Sequence, residues 1–320
     1  MFRLPVSLPA TVKLPGLELL TGSWLLDGDS RAMRHRSARV RGRVVSYGVV
    51  EGTGATVVLL HGWGLAHSSY ARSAEQLGRA GFKVIVPDLP GFGRSTDLPF
   101  SKLTFESFAR VVAGLLRQVG ADEAPVHLVG HSFGGAVCAQ LAHDYSDFVQ
   151  SLVLVSSVSG VTWRREADAE RLLAERPLWD WGVHLLREFP LGEFPHTARA
   201  VLGDVRHNMA FHLPAMSIVG SLIRRCDLRQ LLGRVAEDGI LTSVVWPSGD
   251  RVVTRAAFED QCEALGCEGT VVEGNHGWPL ANPKDFARVV GELLATGSVA
   301  PPEPPTGLPL RWDRARGARP

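Results

Sequence analysis

The residues with the most specific chemical promise are Gly130-His131-Ser132-Phe133-Gly134, a serine with a glycine two positions away on either side. The quintet follows the apolar run Val126-His127-Leu128-Val129 and precedes a helical stretch from Phe133 to about Tyr145. A strand that turns abruptly into a helix strains the apical residue and projects its side chain from the sheet's carboxyl edge. Glycines on either side remove side chains that would clash in so sharp a turn. Ser132 is therefore the expected nucleophile. The Phe133 N–H, at the helix start, is expected to face the negative charge that builds up on an attacked carbonyl oxygen. The competing explanation is a glycine-rich turn with an incidental serine, which the strand-to-helix context disfavours.

A serine hydroxyl needs a base, and the base needs an orienting acid. Asp250 follows the apolar run Leu241-Thr242-Ser243-Val244-Val245-Trp246, and His276 follows the next such run, Thr270-Val271-Val272. Both therefore fall at the sheet edge expected to carry Ser132. Asp250 competes with a simple Gly-Asp turn, and His276 with a packed loop histidine. Of the eleven histidines, His35 lies in an N-terminal arm, His127 within a strand and His143 far along a helix. His184, His196, His207 and His212 lie in a helical block, and His61, His67 and His131 precede or adjoin Ser132. Only His276 follows a terminal strand. The loop His61-Gly62-Trp63-Gly64, after the first core strand, offers the Trp63 N–H as a second oxyanion donor. His61 there reads as a loop anchor, and Asp88 to Ser95 as a tight structural turn.

These side chains need a frame, and the hydrophobic pattern supplies one. Thr56 to Leu60, Lys83 to Val86, Val126 to Val129 and Ser151 to Val155 are short, β-branched runs of the kind buried on both faces. Helical stretches from Ser68 to Ala80, Thr104 to Val119 and Phe133 to Tyr145 alternate with them. The pattern implies an α/β fold: a mostly parallel, doubly wound sheet with helices on both faces. The rhythm stops near Gly160 and resumes at Leu241, then continues with a helix from Arg255 to Leu265 and a last one after Pro283. The organisation expected is an arm at 1–37, a core at 38–160 and 239–296, an inserted helical cap at 161–238, and a Pro/Arg-rich disordered tail at 297–320. Within a basic run from Arg31 to Arg43, the stretch Arg39 to Val44 reads as one strand with a wet face near a sheet edge. An anionic partner or membrane site is the alternative there.

Leu60-His61-Gly62-Trp63-Gly64, Pro87-Asp88-Leu89-Pro90-Gly91-Phe92-Gly93-Arg94-Ser95, Gly130 to Gly135, Gly249-Asp250 and Asn275-His276 together resemble the α/β-hydrolase family. The likeness spans about residues 40 to 160 and 240 to 296. It implies a chain order of nucleophile, acid, base, matching Ser132, Asp250 and His276. Asn275-His276 departs from the usual Gly-His ending. Relatives with an aspartate nucleophile hydrolyse epoxides or haloalkanes, but a serine stands here. Tyr47, Tyr70 and Tyr145 lie outside the cap, so the tyrosine acids of such epoxide hydrolases are missing.

The expected activity is hydrolysis of a carboxylic ester or thioester of a small apolar substrate through an acyl-enzyme, with no cofactor or metal. Alternatives are C–C bond hydrolysis of a diketone-like substrate, or a non-catalytic small-molecule receptor or scaffold on the same fold. Trp163, Leu178, Trp179, Trp181, Leu185, Leu186, Phe189 and Phe194 give the cap apolar surface to line an acyl pocket, or to lean on a membrane, which is not favoured. A net charge of +1 over 320 residues gives no electrostatic reason to expect a nucleic-acid partner. The four cysteines form no CxxC pair and no zinc-like cluster with histidine. The opening residues are broken by Pro5, Pro9 and Pro15, a poor signal-peptide core, and a cytoplasmic location is expected.

Overall fold

The structure is a computed structural model and describes residues 32–158 and 195–296. The expected arm, apart from its last few residues, and the tail fall outside these, as do all the named apolar cap residues from Trp163 to Phe194.

Among the described residues, eight strands form one sheet. In chain order they are β1 (Arg34–Val40), β2 (Arg43–Val50), β3 (Thr56–Leu60), β4 (Lys83–Pro87), β5 (Val126–His131), β6 (Val149–Val155), β7 (Leu241–Pro247) and β8 (Gly269–Val272). Across the sheet the order is β1-β2-β4-β3-β5-β6-β7-β8. The β1/β2 and β2/β4 pairs are antiparallel and the others parallel. The helices are α1 (Ala71–Arg79), α2 (Phe105–Gln118), α3 (Phe133–Asp144), α4 (Pro195–Phe211), α5 (Leu213–Arg225), α6 (Arg229–Glu237), α7 (Arg255–Leu265), α8 (Trp278–Ala281) and α9 (Pro283–Thr296). A 3₁₀ turn, His67–Tyr70, leads into α1.

Two apolar layers sandwich the sheet. One face packs Val58, Leu60 and Leu128 against α2, α3, α5, α6 and α7, through residues such as Phe108, Val137, Val219, Val235 and Phe258. The other packs Val57, Leu59 and Val129 against α1 and α9, through Leu77, Phe286 and Val290. Alternate residues of β3 thus serve opposite cores, which is why its apolar run is unbroken. Helix α6, sequence-wise the end of the helical block, contributes Leu232 and Val235 to the first of these layers and lies against α3 and α7.

One expectation is corrected. Arg39 to Val44 is not a single strand but the turn of a hairpin joining β1 and β2, with Val40 paired to Arg43. Arg41 (φ 48°) and Gly42 (φ 80°) both take left-handed backbone, the geometry that closes a two-residue hairpin with the twist of its strands. β1 is one edge of the sheet; each of its residues pairs with β2, and most are exposed. It begins at Arg34, inside the stretch read as an arm.

The winding reverses between β3 and β5. From β3 the chain crosses to β4 on one side, then returns to lay β5 on the other. Loops leaving neighbouring strands at such a switch point diverge to opposite faces and open a crevice at the carboxyl ends. The two loops here are His61 to Ala66 and the turn at Ser132.

Candidate active site

Ser132 is the apex of a sharp turn, with φ 54° and ψ −120° between β5 and α3. A non-glycine residue in that region costs about 1–3 kcal/mol and persists only where its surroundings over-determine it. Here they do. The Ser132 N–H donates to the Val155 carbonyl of β6 (3.0 Å), and the Ser132 carbonyl accepts from Gly135 (3.0 Å) and Val158 (3.3 Å). A Cβ on Gly130 would come within 2.6 Å of the Gly134 carbonyl oxygen, and one on Gly134 within 2.7 Å of the His61 carbonyl oxygen. Both glycines are thus demanded by backbone-to-backbone approach. The Phe133 N–H is one of the first four in α3, which no helix carbonyl can serve. The Phe133 ring anchors that end of the helix among Phe92, Phe105 and Phe108, at centroid distances of 5.3 to 6.1 Å.

Asp250 and His276 meet at the same edge. Asp250 Oδ2 lies 3.0 Å from His276 Nδ1, and both side chains are almost fully buried. Asp250 Oδ1 accepts from the N–H groups of Val252 (2.8 Å) and Val253 (2.9 Å), so neither carboxylate oxygen lacks a donor. The Gly249 N–H to Gly274 carbonyl bond (2.8 Å) ties the two loops together. A carboxylate only accepts, so His276 carries its proton on Nδ1 and Nε2 is the basic nitrogen.

The Ser132 turn and the His276 loop are joined through His131, a residue that sequence reasoning set aside. His131 Nε2 lies 2.8 Å from the His276 carbonyl, and Nδ1 lies 2.5 Å from the Tyr70 hydroxyl. The Tyr70 oxygen also accepts from the Gly62 N–H at 3.0 Å. With the buried ring neutral, only one proton arrangement satisfies all three contacts: His131 donates from Nε2 to the carbonyl, and Tyr70 donates to Nδ1 while accepting from Gly62. Burial pushes the Tyr70 pKa up, which keeps that hydroxyl protonated. One chain of hydrogen bonds thus positions the loop after β3, the serine turn and the histidine loop. A Cβ on Gly62 would stand 3.5 Å from the Ser132 Cβ, so the loop after β3 runs directly beside Ser132. The Trp63 indole donates to the Met216 carbonyl of α5 (3.0 Å). Replacing Tyr70 by phenylalanine strands the Gly62 N–H and His131 Nδ1. The expected cost is about 2–4 kcal/mol of stability in urea titrations, with kcat reduced more than KM is raised. An unchanged urea midpoint would show that the network carries no load.

The expected roles of His61 and Asp88 also have geometric content. His61 Nε2 accepts from the Leu89 N–H (3.0 Å) and its Nδ1 faces the Gly62 carbonyl (2.9 Å), linking the loops after β3 and β4. Asp88 accepts from the N–H groups of His67 (2.8 Å) and Arg94 (3.0 Å) and from the His67 ring (2.7 Å).

Helix α4 clamps the same loops from outside the sheet. Asp204 accepts from the N–H groups of Ala66 and Ser69 (3.1 Å each) and from the hydroxyls of Ser68 and Ser69. One turn on, Asn208 donates to the Gly64 carbonyl (2.9 Å) and accepts from the Gly93 N–H (2.7 Å). The signal in the sequence was an Asp and an Asn four apart in a helix, a spacing that puts both on one face.

His61 and His131 are each locked in one neutral tautomer. Burial, the dominant cause, lowers the pKa of both, that of His131 well below the ordinary value. The unfolded chain binds a proton on each near pH 6.5 while the folded chain does not, so acid favours unfolding. Stability conferred by the neutral rings is complete above about pH 7 and falls as pH drops through 6.5, by up to about 1.4 kcal/mol per pH unit for each ring. Urea midpoints measured between about pH 7 and pH 5 should decline; a flat profile would contradict the buried neutral assignment.

With this geometry in place, similarity to known proteins is informative. Residues 55–242 match the family model described as alpha/beta hydrolase fold. The pimeloyl-[acyl-carrier protein] methyl ester esterase of Chromobacterium violaceum is 31% identical over 261 residues, covering 77% of this chain and 96% of that relative. A 2-hydroxy-6-oxononadienedioate/2-hydroxy-6-oxononatrienedioate hydrolase of Paraburkholderia phymatum is 38% identical over 108 residues, but the match covers only 33% of this chain and 37% of that relative. Among solved structures, a bromoperoxidase of Bacillus anthracis superposes with a TM-score of 0.68 at 22% identity, covering 82% of this chain and all of that one, a likeness of fold. The relatives are hydrolases and other enzymes built on one scaffold. Matched over more than half its length by the family model, this chain belongs to the α/β-hydrolase fold family.

Proposed function

We propose that this protein is a serine hydrolase that cleaves a carboxylic ester or thioester of a small apolar substrate through an acyl-enzyme. One observation carries the reading: the buried Asp250–His276 pair is delivered to the sheet edge where Ser132 sits at a positive-φ apex. Ser132 attacks the carbonyl carbon while His276 Nε2 takes the hydroxyl proton. The Trp63 and Phe133 N–H groups hold the oxyanion, and His276 returns the proton to the leaving group. Water then repeats the sequence to release the acid. No step calls for a cofactor. Similarity over 77% of this chain and 96% of a methyl ester esterase supports the ester class.

C–C bond hydrolysis is the second reading, favoured by the 38% identity to a hydrolase of an oxo-dienedioate over about a third of each chain. Among the described residues no helix is long and apolar enough to cross a membrane. A cytoplasmic location and a small-molecule partner complete the proposal.

A panel of p-nitrophenyl esters and acyl thioesters of graded chain length, run beside a vinylogous diketone, separates the readings. An initial burst of p-nitrophenol stoichiometric with enzyme is expected when acylation outpaces deacylation. Cleavage of the diketone alone would move the assignment to the C–C class. No turnover, together with no labelling by a fluorophosphonate, would favour a non-catalytic receptor.

A further inference from the structure

Helix α7 ends in a motif that brings two thiols together. Gly266 takes left-handed backbone (φ 63°, ψ 32°). The Cys267 N–H donates back to the Cys262 carbonyl (3.1 Å), and the Gly266 N–H to the Glu263 carbonyl (3.2 Å). This nested pair of bonds is the Schellman ending, in which the side chains at its first and last positions face each other. Those positions usually hold two apolar residues. Here they hold Cys262 and Cys267, whose side chains share a hydrogen bond, and Thr242 on β7 adds another to Cys267.

We propose that Cys262 and Cys267 are a thiol-modification site, which a small disulfide of the glutathione class converts to an intramolecular disulfide. The bond would staple the last turn of α7 to the short connection before β8, the strand that leads to His276. Both thiols are partly exposed, whereas Cys138 and Cys226, the only other cysteines, are buried. Cys267 is the attacking thiol. Its sulfur takes hydrogen bonds from both Cys262 and Thr242, which favour the thiolate there and lower its pKa. Its thiolate attacks one sulfur of the disulfide R–S–S–R, forming a mixed disulfide and expelling one RS⁻. Cys262 then loses its proton to solvent and attacks the Cys267 sulfur, closing the ring and expelling the second RS⁻. Two electrons and two protons leave the protein, and the oxidant becomes two RSH. None of the proposed catalytic residues takes part.

The test treats the folded, reduced full chain with oxidised glutathione near neutral pH, quenches with acid, alkylates in denaturant and maps the peptides. Two of the four cysteines should escape alkylation, as one Cys262–Cys267 cross-link. Cys262→Ser should stop at a glutathione adduct on Cys267, and Cys267→Ser should form its adduct on Cys262 at least ~10-fold more slowly. Closing the short loop should also raise the Tm of the oxidised protein by a few degrees. Four alkylatable thiols, or a wild-type adduct that never closes, would overturn the site. A smaller rate ratio would overturn the assignment of the attacking thiol, and an unchanged or lowered Tm would overturn the staple.

Discussion

Ser132→Ala is expected to lower ester turnover at least ~10⁴-fold and to abolish labelling by a fluorophosphonate, with the fold intact. The size follows from the role: without the hydroxyl there is no acyl-enzyme, and His276 has no proton to take. Residual rate would come only from the oxyanion donors acting on water's own attack. Stability should stay within about 1 kcal/mol of wild type. Alanine meets the same positive φ that serine does, and the bonds that hold the apex, to Val155, Gly135 and Val158, are all made by its backbone. A circular-dichroism melt beside the kinetic assay separates lost chemistry from lost fold. Wild-type labelling in the variant would place the nucleophile elsewhere.

Asp250→Asn should reduce kcat at least ~10²-fold while changing few contacts. The reason lies in the other carboxylate oxygen. Val252 and Val253 both aim N–H groups at Oδ1, so an asparagine must keep its oxygen there. Its NH₂ group then faces His276 Nδ1, and two donors cannot share that contact. His276 must move its proton to Nε2, where it can no longer accept one from Ser132. The loss should appear in kcat more than in KM, because the Asp250 side chain is fully buried behind the His276 ring. Activity near wild type would mean that another carboxylate orients the ring.

Much of the frame is legible in the hydrophobic pattern alone. Continuous β-branched runs such as Thr56 to Leu60 read as strands buried on both faces, and the fold places alternate residues of β3 in opposite cores. The helix expected from Arg255 to Leu265 starts and stops at those residues because local chemistry dictates both ends. Thr254 accepts from the Ala257 N–H at the front, and Gly266 supplies the left-handed turn behind. The hairpin at Arg41 escapes that logic because its turn holds an arginine where asparagine or aspartate would be the familiar signal before glycine.

Ser132, Asp250 and His276 could be named because each stands at a strand end, and strand ends are written in local hydrophobic pattern. What joins them is not. Tyr70 and His131 lie 61 positions apart, and His131 and the His276 carbonyl 145 apart. Their link exists only because β3 and β5 are neighbours at the switch point. Asp204 and Asn208 likewise reach loops more than a hundred residues earlier through a helix inserted between β6 and β7. The core strands from β3 onward, the helix caps and the residue types that can react are legible in the sequence, because those depend on neighbours a few positions away. Which loops meet, which tautomer each histidine holds and which two thiols share a proton were decided by tertiary structure, since each depends on a partner that only folding brings within hydrogen-bond reach.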